Sequence, residues 1–208
     1  MIGGSGANSF NINNTADVVQ AQAGAAGNTL YSSVSFTAPD NVGALYLTGT
    51  ASLTAVANSG TIALYANSGN DTLIGGSGIT HLNGGAGSDT LIAGTGVTML
   101  AGGGGADKFV FRSTADTGTV SHPNIISDFV SGQDVIDLSA IAHTALGSGH
   151  SLSFIGTSGF THVAGQVDYH MASGGLQIEG DLNGDGVADF SLLLSHTASI
   201  TSHDLVLG

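Results

Sequence analysis

The stretch from Ala66 to Val110 reads ANSGNDTLI, GGSGITHLN, GGAGSDTLI, AGTGVTMLA, GGGGADKFV, five nine-residue blocks set end to end without a gap. Position four is glycine in every block: Gly69, Gly78, Gly87, Gly96 and Gly105. Position eight is apolar each time: Leu73, Leu82, Leu91, Leu100 and Phe109. A glycine-rich turn followed by a short strand with one inward side chain cannot bury that side chain alone, so neighbouring blocks must stack. The period therefore predicts a parallel β-roll in which each block is half a coil and successive turns alternate between the two edges.

Position six carries the chemistry, reading Asp71, Thr80, Asp89, Thr98 and Asp107. Alternation then puts the carboxylates on one edge and the threonines on the other, with stacked strands about 4.8 Å apart. Bare carboxylates at that spacing repel. A hard divalent cation between coils removes the repulsion and takes oxygens from both, as calcium takes six to eight oxygens at about 2.3 to 2.6 Å. Aspartates that only cap the turns of a metal-free solenoid are the plainer reading of the same residues. The threonine edge is expected to bind calcium poorly or not at all.

Composition agrees with this outline. Thirty-four glycines in 208 residues are about twice ordinary usage, and charged residues, at 8%, fall far below the roughly 25% of typical globular chains. With 41% apolar residues and a mean hydropathy of +0.30 the chain collapses rather than staying disordered. Net charge is −13, and every acid but Glu179 is aspartate, the residue suited to glycine-rich oxygen cages. Lys108 and Arg112 are the only fixed cations, which disfavours nucleic acid and anionic membranes as partners. No cysteine is present, so disulfides and thiol chemistry are excluded. The start, MIGGSGANSF, lacks a basic and apolar leader pattern, and no apolar run approaches a membrane span. An export address is expected elsewhere.

The blocks resemble the RTX family of secreted calcium-binding repeats, whose nonapeptide is GGxGxDxUx. The resemblance implies that the upper turn of each site gives carbonyls from positions two and four plus its aspartate. The lower turn gives carbonyls from positions one and three plus its own. One calcium site would use Asn67, Gly69, Asp71, Gly84, Ala86 and Asp89, and the next Gly85, Gly87, Asp89, Gly102, Gly104 and Asp107. Gly103, Gly105 and Asp107 would face a last site. Several calcium ions are expected.

Upstream, Gly3 to Asn11 and Ala57 to Tyr65 look like degenerate copies, while NTLYSSVSF and NVGALYLTGT alternate like strands and resemble an insertion interrupting the roll. Expected boundaries are 1–56 for the degenerate repeat and insertion, 57–111 for the roll and 112–208 for a cap. IISDFVSGQDVIDLSAIA resembles the cap that follows the roll in serralysin-type secreted proteins. That resemblance implies that Asp128 and Asp134 close the last site, and it expects an acid where Asn124 stands. Asp137 is expected to cap a short helix from Ala140 to Ala145. LSFIG, GQVDYH, GLQIE and FSLLLS read as antiparallel strands. The fold class is thus all-β, a parallel β-roll with an antiparallel C-terminal cap.

Within the cap, DLNGDGVADF places Asp181, Asn183, Asp185, Val187 and Asp189 at positions 1, 3, 5, 7 and 9 of a calcium loop, but position 12 is Leu192. The eight histidines read as scattered surface residues, and HExxH, GxSxG and the P-loop are all missing. The chain therefore reads as noncatalytic. Asp168 and Glu179, on neighbouring cap strands, are the acids left over for a paired-carboxylate site.

The tail, ending in Asp204, Leu205, Val206 and Leu207, resembles the uncleaved signal read by type I ABC exporters, and a plain edge strand explains the same residues. The expected role is a secreted or cell-surface calcium-binding module that folds outside the cell, with a type I exporter and an upstream catalytic domain as partners. Self-assembly into a surface or matrix layer, or carbohydrate binding as in alginate-modifying enzymes, are the competing classes. A start inside a GGxG turn suits a severed upstream domain or end-to-end stacking.

Overall fold

The computed structural model describes every residue except 24–26, 62, 79 and 97; the side chains of Thr80 and Thr98 also lie outside the described set, so the expectation for the threonine edge falls there. The chain opens with β1 (Ser9–Ile12), β2 (Thr29–Ser32), β3 (Phe36–Thr37), β4 (Ala44–Leu47), β5 (Thr54–Val56) and β6 (Ala63–Tyr65). The repeat blocks supply β7 (Thr72–Ile74), β8 (Thr80–Asn83), β9 (Thr90–Ile92), β10 (Thr98–Ala101) and β11 (Lys108–Val110). Then come β12 (Gly118–Thr119), β13 (His122–Ile126), β14 (Val135–Asp137), helix α1 (Ser139–Leu146) and β15 (Ser153–Gly156). The last strands are β16 (Gln166–Ala172), β17 (Gly175–Asp181), β18 (Phe190–Leu194) and β19 (Leu205–Val206).

These strands form two sheets around one apolar core. The first has the order β1-β2-β4-β6-β8-β10-β13-β18-β17-β16-β15, with β12 paired to β13, and the second β19-β14-β11-β9-β7-β5-β3. Along the first sheet Leu30, Leu45, Leu64, Leu82, Leu100, Ile126 and Leu194 are in register from strand to strand. Along the second the series is Ala55, Leu73, Leu91, Phe109, Ile136 and Leu205. All of them are buried. Each leucine contributes roughly 1.5 to 3 kcal/mol by leaving water, which is how strands of three residues persist without long sheet edges. On the outer face Tyr31, Tyr46 and Tyr65 stack with ring centroids 5.2 and 4.4 Å apart.

On both flanks the parallel stacking runs beyond the nonapeptide blocks. The expected insertion is built into the roll: β2 and β4 pair in parallel with β1 and β6, and β3 pairs in parallel with β5. Downstream, β13 and β14 continue the parallel stacks beyond Phe111. The flanking coils keep an in-register apolar interior, with two buried residues in β1 (Phe10 and Ile12) and in β4 (Leu45 and Leu47), but lose the fixed spacing, because their turns have no repeated glycine pattern. In the cap, β16, β17 and β18 are antiparallel as expected, whereas β15 pairs in parallel with β16, and β18 joins β13 in parallel. No helix among the described residues is long and apolar enough to cross a membrane.

Candidate metal centre on the aspartate edge

Turns that lead into the second sheet carry the aspartates, and their placement follows from the coil repeat. The Leu53 amide donates to Asp71 Oδ1 at 2.7 Å, Asp71 N to Asp89 Oδ1 at 2.7 Å, and Asp89 N to Asp107 Oδ1 at 2.8 Å, each pair 18 residues apart. Asp107 N donates in turn to Asp134 Oδ1 at 3.0 Å, across 27 residues. Every carboxylate thus reaches back one coil and holds the amide of the residue above it. All four aspartates are buried, between 1% and 3% exposed.

The second oxygens divide the four into two kinds. Asp71 Oδ2 accepts from Asn67 N at 2.9 Å, and Asp134 Oδ2 from Val130 N at 2.8 Å, each closing its own turn. Asp89 Oδ2 and Asp107 Oδ2 are buried and have no hydrogen-bond partner. The difference lies in the turn: where Asp71 has Asn67, Asp89 and Asp107 have Gly85 and Gly103 with φ of +87° and +92°. In that left-handed conformation, which favours glycine, the peptide no longer offers its amide to the aspartate below. The Gly103 amide goes instead to Asp128 Oδ2 at 2.8 Å, beside Gly102 N to Asp128 Oδ1 at 2.9 Å.

Burial raises the pKa of these groups, disfavouring the charged form. Desolvation pushes Asp89 up to about 7 against its bond from the Asp71 amide, with the charges of Asp107 and Asp71 adding to the rise. Burial likewise raises Asp107, helped by Asp134 and Asp128, and raises Asp134, helped by Asp128 and Asp204. Of the two cations, Lys108 is drawn off to Asp137, its Nζ 2.6 Å from Oδ2. Although burial opposes it, that lysine together with Ser139 holds Asp137 below the usual carboxylate range. Asp137 also accepts from Ser139 N and Oγ at the start of α1, as its expected capping role requires.

The glycines around the two orphaned oxygens leave room that no side chain could share. A Cβ on Gly84 would stand 2.5 Å from both Asp89 Oδ2 and the Gly102 carbonyl, and one on Gly102 would collide with Asp107 Oδ2. Of the expected carbonyl ligands, Asn67 accepts from Ala86 N at 3.3 Å, Gly85 from Gly104 N at 2.8 Å and Gly104 from Gly87 N at 2.8 Å, each with a second lone pair left. The Gly105 carbonyl accepts from Gln133 Nε2. Anionic, oxygen-only and lacking donors, this set fits a hard divalent cation. Asn124 lies apart from it, its Nδ2 donating to the Asp116 carbonyl at 2.6 Å.

The acidic loop of the cap is built differently. Asp181 accepts from Gly184 N at 2.7 Å and Gly186 N at 2.8 Å, and Asp189 from Leu182 N at 2.6 Å and Asn183 Nδ2 at 3.2 Å. Asn183 Oδ1 takes Asp185 N and Asp185 Oδ1 takes Val187 N, both at 2.8 Å. A cation there would compete with amides already in place. At the tail, Asp204 is 1% exposed and accepts from Gly132 N at 2.7 Å, Ser131 Oγ at 2.8 Å and Thr201 N at 2.7 Å. Leu205 and Val206 form the edge strand β19 beside β14.

The sequence pairs Asp168 with Glu179 on neighbouring cap strands, and the structure adds His170, which the sequence reading missed, each of the three bringing a ligand atom within 4.8 Å of the others. Asp168 and Glu179 are direct cross-strand partners. The signal was the two-residue hairpin Ser173–Gly174, from which counting outward pairs 168 with 179.

A family model described as peptidase M10 serralysin C terminal matches residues 47–207. Among solved structures the chain is similar to the AlgE6R3 subunit of the mannuronan C5-epimerase of Azotobacter vinelandii, at 24% identity and a TM-score of 0.44 over 78% of this chain and 77% of that one. No curated protein matches.

Proposed function

The chain belongs to the peptidase M10 serralysin C-terminal family, and we propose that it is a noncatalytic calcium-binding module that folds on calcium outside the cell and supports secretion of the protein that carries it. One observation carries the reading: the carboxylate oxygens Asp89 Oδ2 and Asp107 Oδ2 are buried and without a hydrogen-bond partner. Burying a charge that way is costly unless a counter-ion is supplied, and among the described residues Lys108 is taken up by Asp137 and neither it nor Arg112 forms an ion pair with these two aspartates.

Calcium would be held by Asp89 and Asp107 with carbonyls of Gly85, Gly87, Gly102 and Gly104. A neighbouring ion would share Asp89 and use Asn67, Gly69, Gly84 and Ala86 together with Asp71, whose Oδ2 would give up the Asn67 amide to join it. Asp128 and Asp134, which already grip the turn of Gly102 and Gly103 and the Asp107 amide, would close a last site with Gly103 and Gly105. When bound, the ion supplies the positive charge that lets stacked coils share buried carboxylates. Because the metal adds to folded-state stability and has no preformed site in the open chain, folding and binding become one equilibrium.

That equilibrium also supports the export reading. Asp204, Leu205 and the rest of the tail are locked into the roll when it is folded. A type I exporter that reads this tail would need it before calcium closes the fold. Low calcium inside a bacterium and high calcium outside supply that order. An upstream catalytic domain is the natural partner of a module whose own acids are taken up in turns and ladders.

The experiment is a calcium titration of the chelated chain followed by circular dichroism and calorimetry together. Calcium-dependent gain of β signal, with several ions bound per chain, is the expected outcome. A chelated chain as folded as the calcium-loaded one overturns the reading.

A further inference from the structure

We propose that Asp168, His170 and Glu179 form a second, chemically distinct metal site on the cap sheet, selective for a divalent transition cation of the zinc class. The site lies on the face of β16 and β17 opposite to that of Tyr169 and Ile178, and does not rest on the calcium reading.

Three observations meet there. The ligand atoms of the three side chains lie within 4.8 Å of one another, with His170 Nδ1 4.0 Å from Glu179 Oε2. That separation is too long for a hydrogen bond but within reach of two ligands that close by a small side-chain rotation onto one cation at about 2.0 to 2.2 Å. Asp168 is 8% exposed, and its Oδ1 is buried with no hydrogen-bond partner, directly across the strand pair from Glu179. The third observation is orientation. Gln177 Nε2 donates to Glu179 Oε1 at 2.8 Å and to Ser191 Oγ at 2.9 Å, so one glutamate oxygen is fixed from behind while Oε2 is left toward the histidine. A second shell of that kind sets ligand direction in metal sites.

Donor type decides the ion. Calcium and magnesium take oxygen ligands, whereas an imidazole nitrogen with two carboxylates suits zinc and its first-row neighbours. His170 is half-exposed, its side chain 49% accessible, which gives a cation an entry path and the ring freedom to turn. Burial raises the pKa of both Asp168 and Glu179, although the nearby His170 works against the rise. An incoming cation removes that strain on the anionic form.

The test is a zinc chloride titration of the full chain in saturating calcium, by calorimetry, paired with anomalous diffraction at the zinc edge. The expected result is one zinc per chain at this cluster, undiminished by excess calcium and weakened about tenfold or more in His170→Ala and in Glu179→Gln. His170 is exposed, so its alanine variant keeps the fold, and circular dichroism verifies that. Asp168→Asn, which keeps the side-chain shape, should weaken zinc by a similar factor. No zinc uptake, zinc located at other histidines, or unchanged affinity in both His170→Ala and Glu179→Gln overturns the proposal, whatever the calcium titration shows.

Discussion

Two acidic, glycine-rich regions of this molecule look alike in composition and differ in what their carboxylates do. In the cap loop, Asp181 and Asp189 each have both oxygens engaged by donors of the same loop, and Asp185 holds the Val187 amide. On the roll edge, Asp89 and Asp107 spend one oxygen on the coil above and bury the other with nothing. An aspartate among glycines is therefore not by itself a ligand. The deciding quantity is whether the backbone beside it offers an amide, and the left-handed Gly85 and Gly103 withdraw theirs.

The largest expected effect follows from removing the ion. A chelator should unfold the roll while the cap loop, self-satisfied, needs no metal of its own, so circular dichroism should lose most of its β signal. Next in size is Asp89→Ala in saturating calcium. It removes an acceptor from the Asp71 amide and a ligand from two ions, and a broken buried charge pair costs about 3 to 5 kcal/mol. Asp71→Ala should cost less, about 1.5 to 3 kcal/mol, the scale of hydrogen bonds to a charged group. Chemical denaturation of the calcium-loaded variants orders the two, and equal losses would break the comparison.

Acidity should act with opposite sign on the two forms. Asp89 has its pKa raised when folded, to about 7 from 3.8. It therefore favours the metal-free fold below 3.8 and withdraws that support as pH rises through 7. The chelated chain should gain structure as pH falls from about 7 toward 3.8, and calcium affinity should fall over the same interval as protons compete. Titrating both forms by circular dichroism checks the pair of signs. The smallest effect belongs to the loop: Asp185→Asn should cost about 1 kcal/mol or less and leave the number of calcium ions found by calorimetry unchanged.

The nine-residue period made β6 to β11 legible, together with the inward residues Leu73, Leu82, Leu91, Leu100 and Phe109, because glycine spacing and apolar position repeat in phase. It also placed Asp71, Asp89 and Asp107 on one edge. The upstream coils were harder to see. Leu30 and Leu45 occupy the same interior row as Leu64, yet their turns differ in length, and a sheet needs only the inward residue to keep register. The division between closed and orphaned oxygens was out of reach, since it depends on the sign of φ at Gly85 and Gly103. The grouping of Asp168, His170 and Glu179 depends on antiparallel register, which a short hairpin sets and composition does not record.

The alternation of edges has a further consequence, one of parity. Nine residues inserted in the roll would leave every inward apolar side chain inward, since each block contributes one to the core whichever sheet it joins. The same insertion would carry the later aspartates together to the opposite edge and break the one rung that spans it, since that carboxylate would no longer face the amide 18 residues back. Eighteen inserted residues would restore the ladder with one rung more. To the core the chain is thus a tape with a step of one block, and to its buried charge a tape with a step of two. Only changes even in blocks can pass through both readings unaltered.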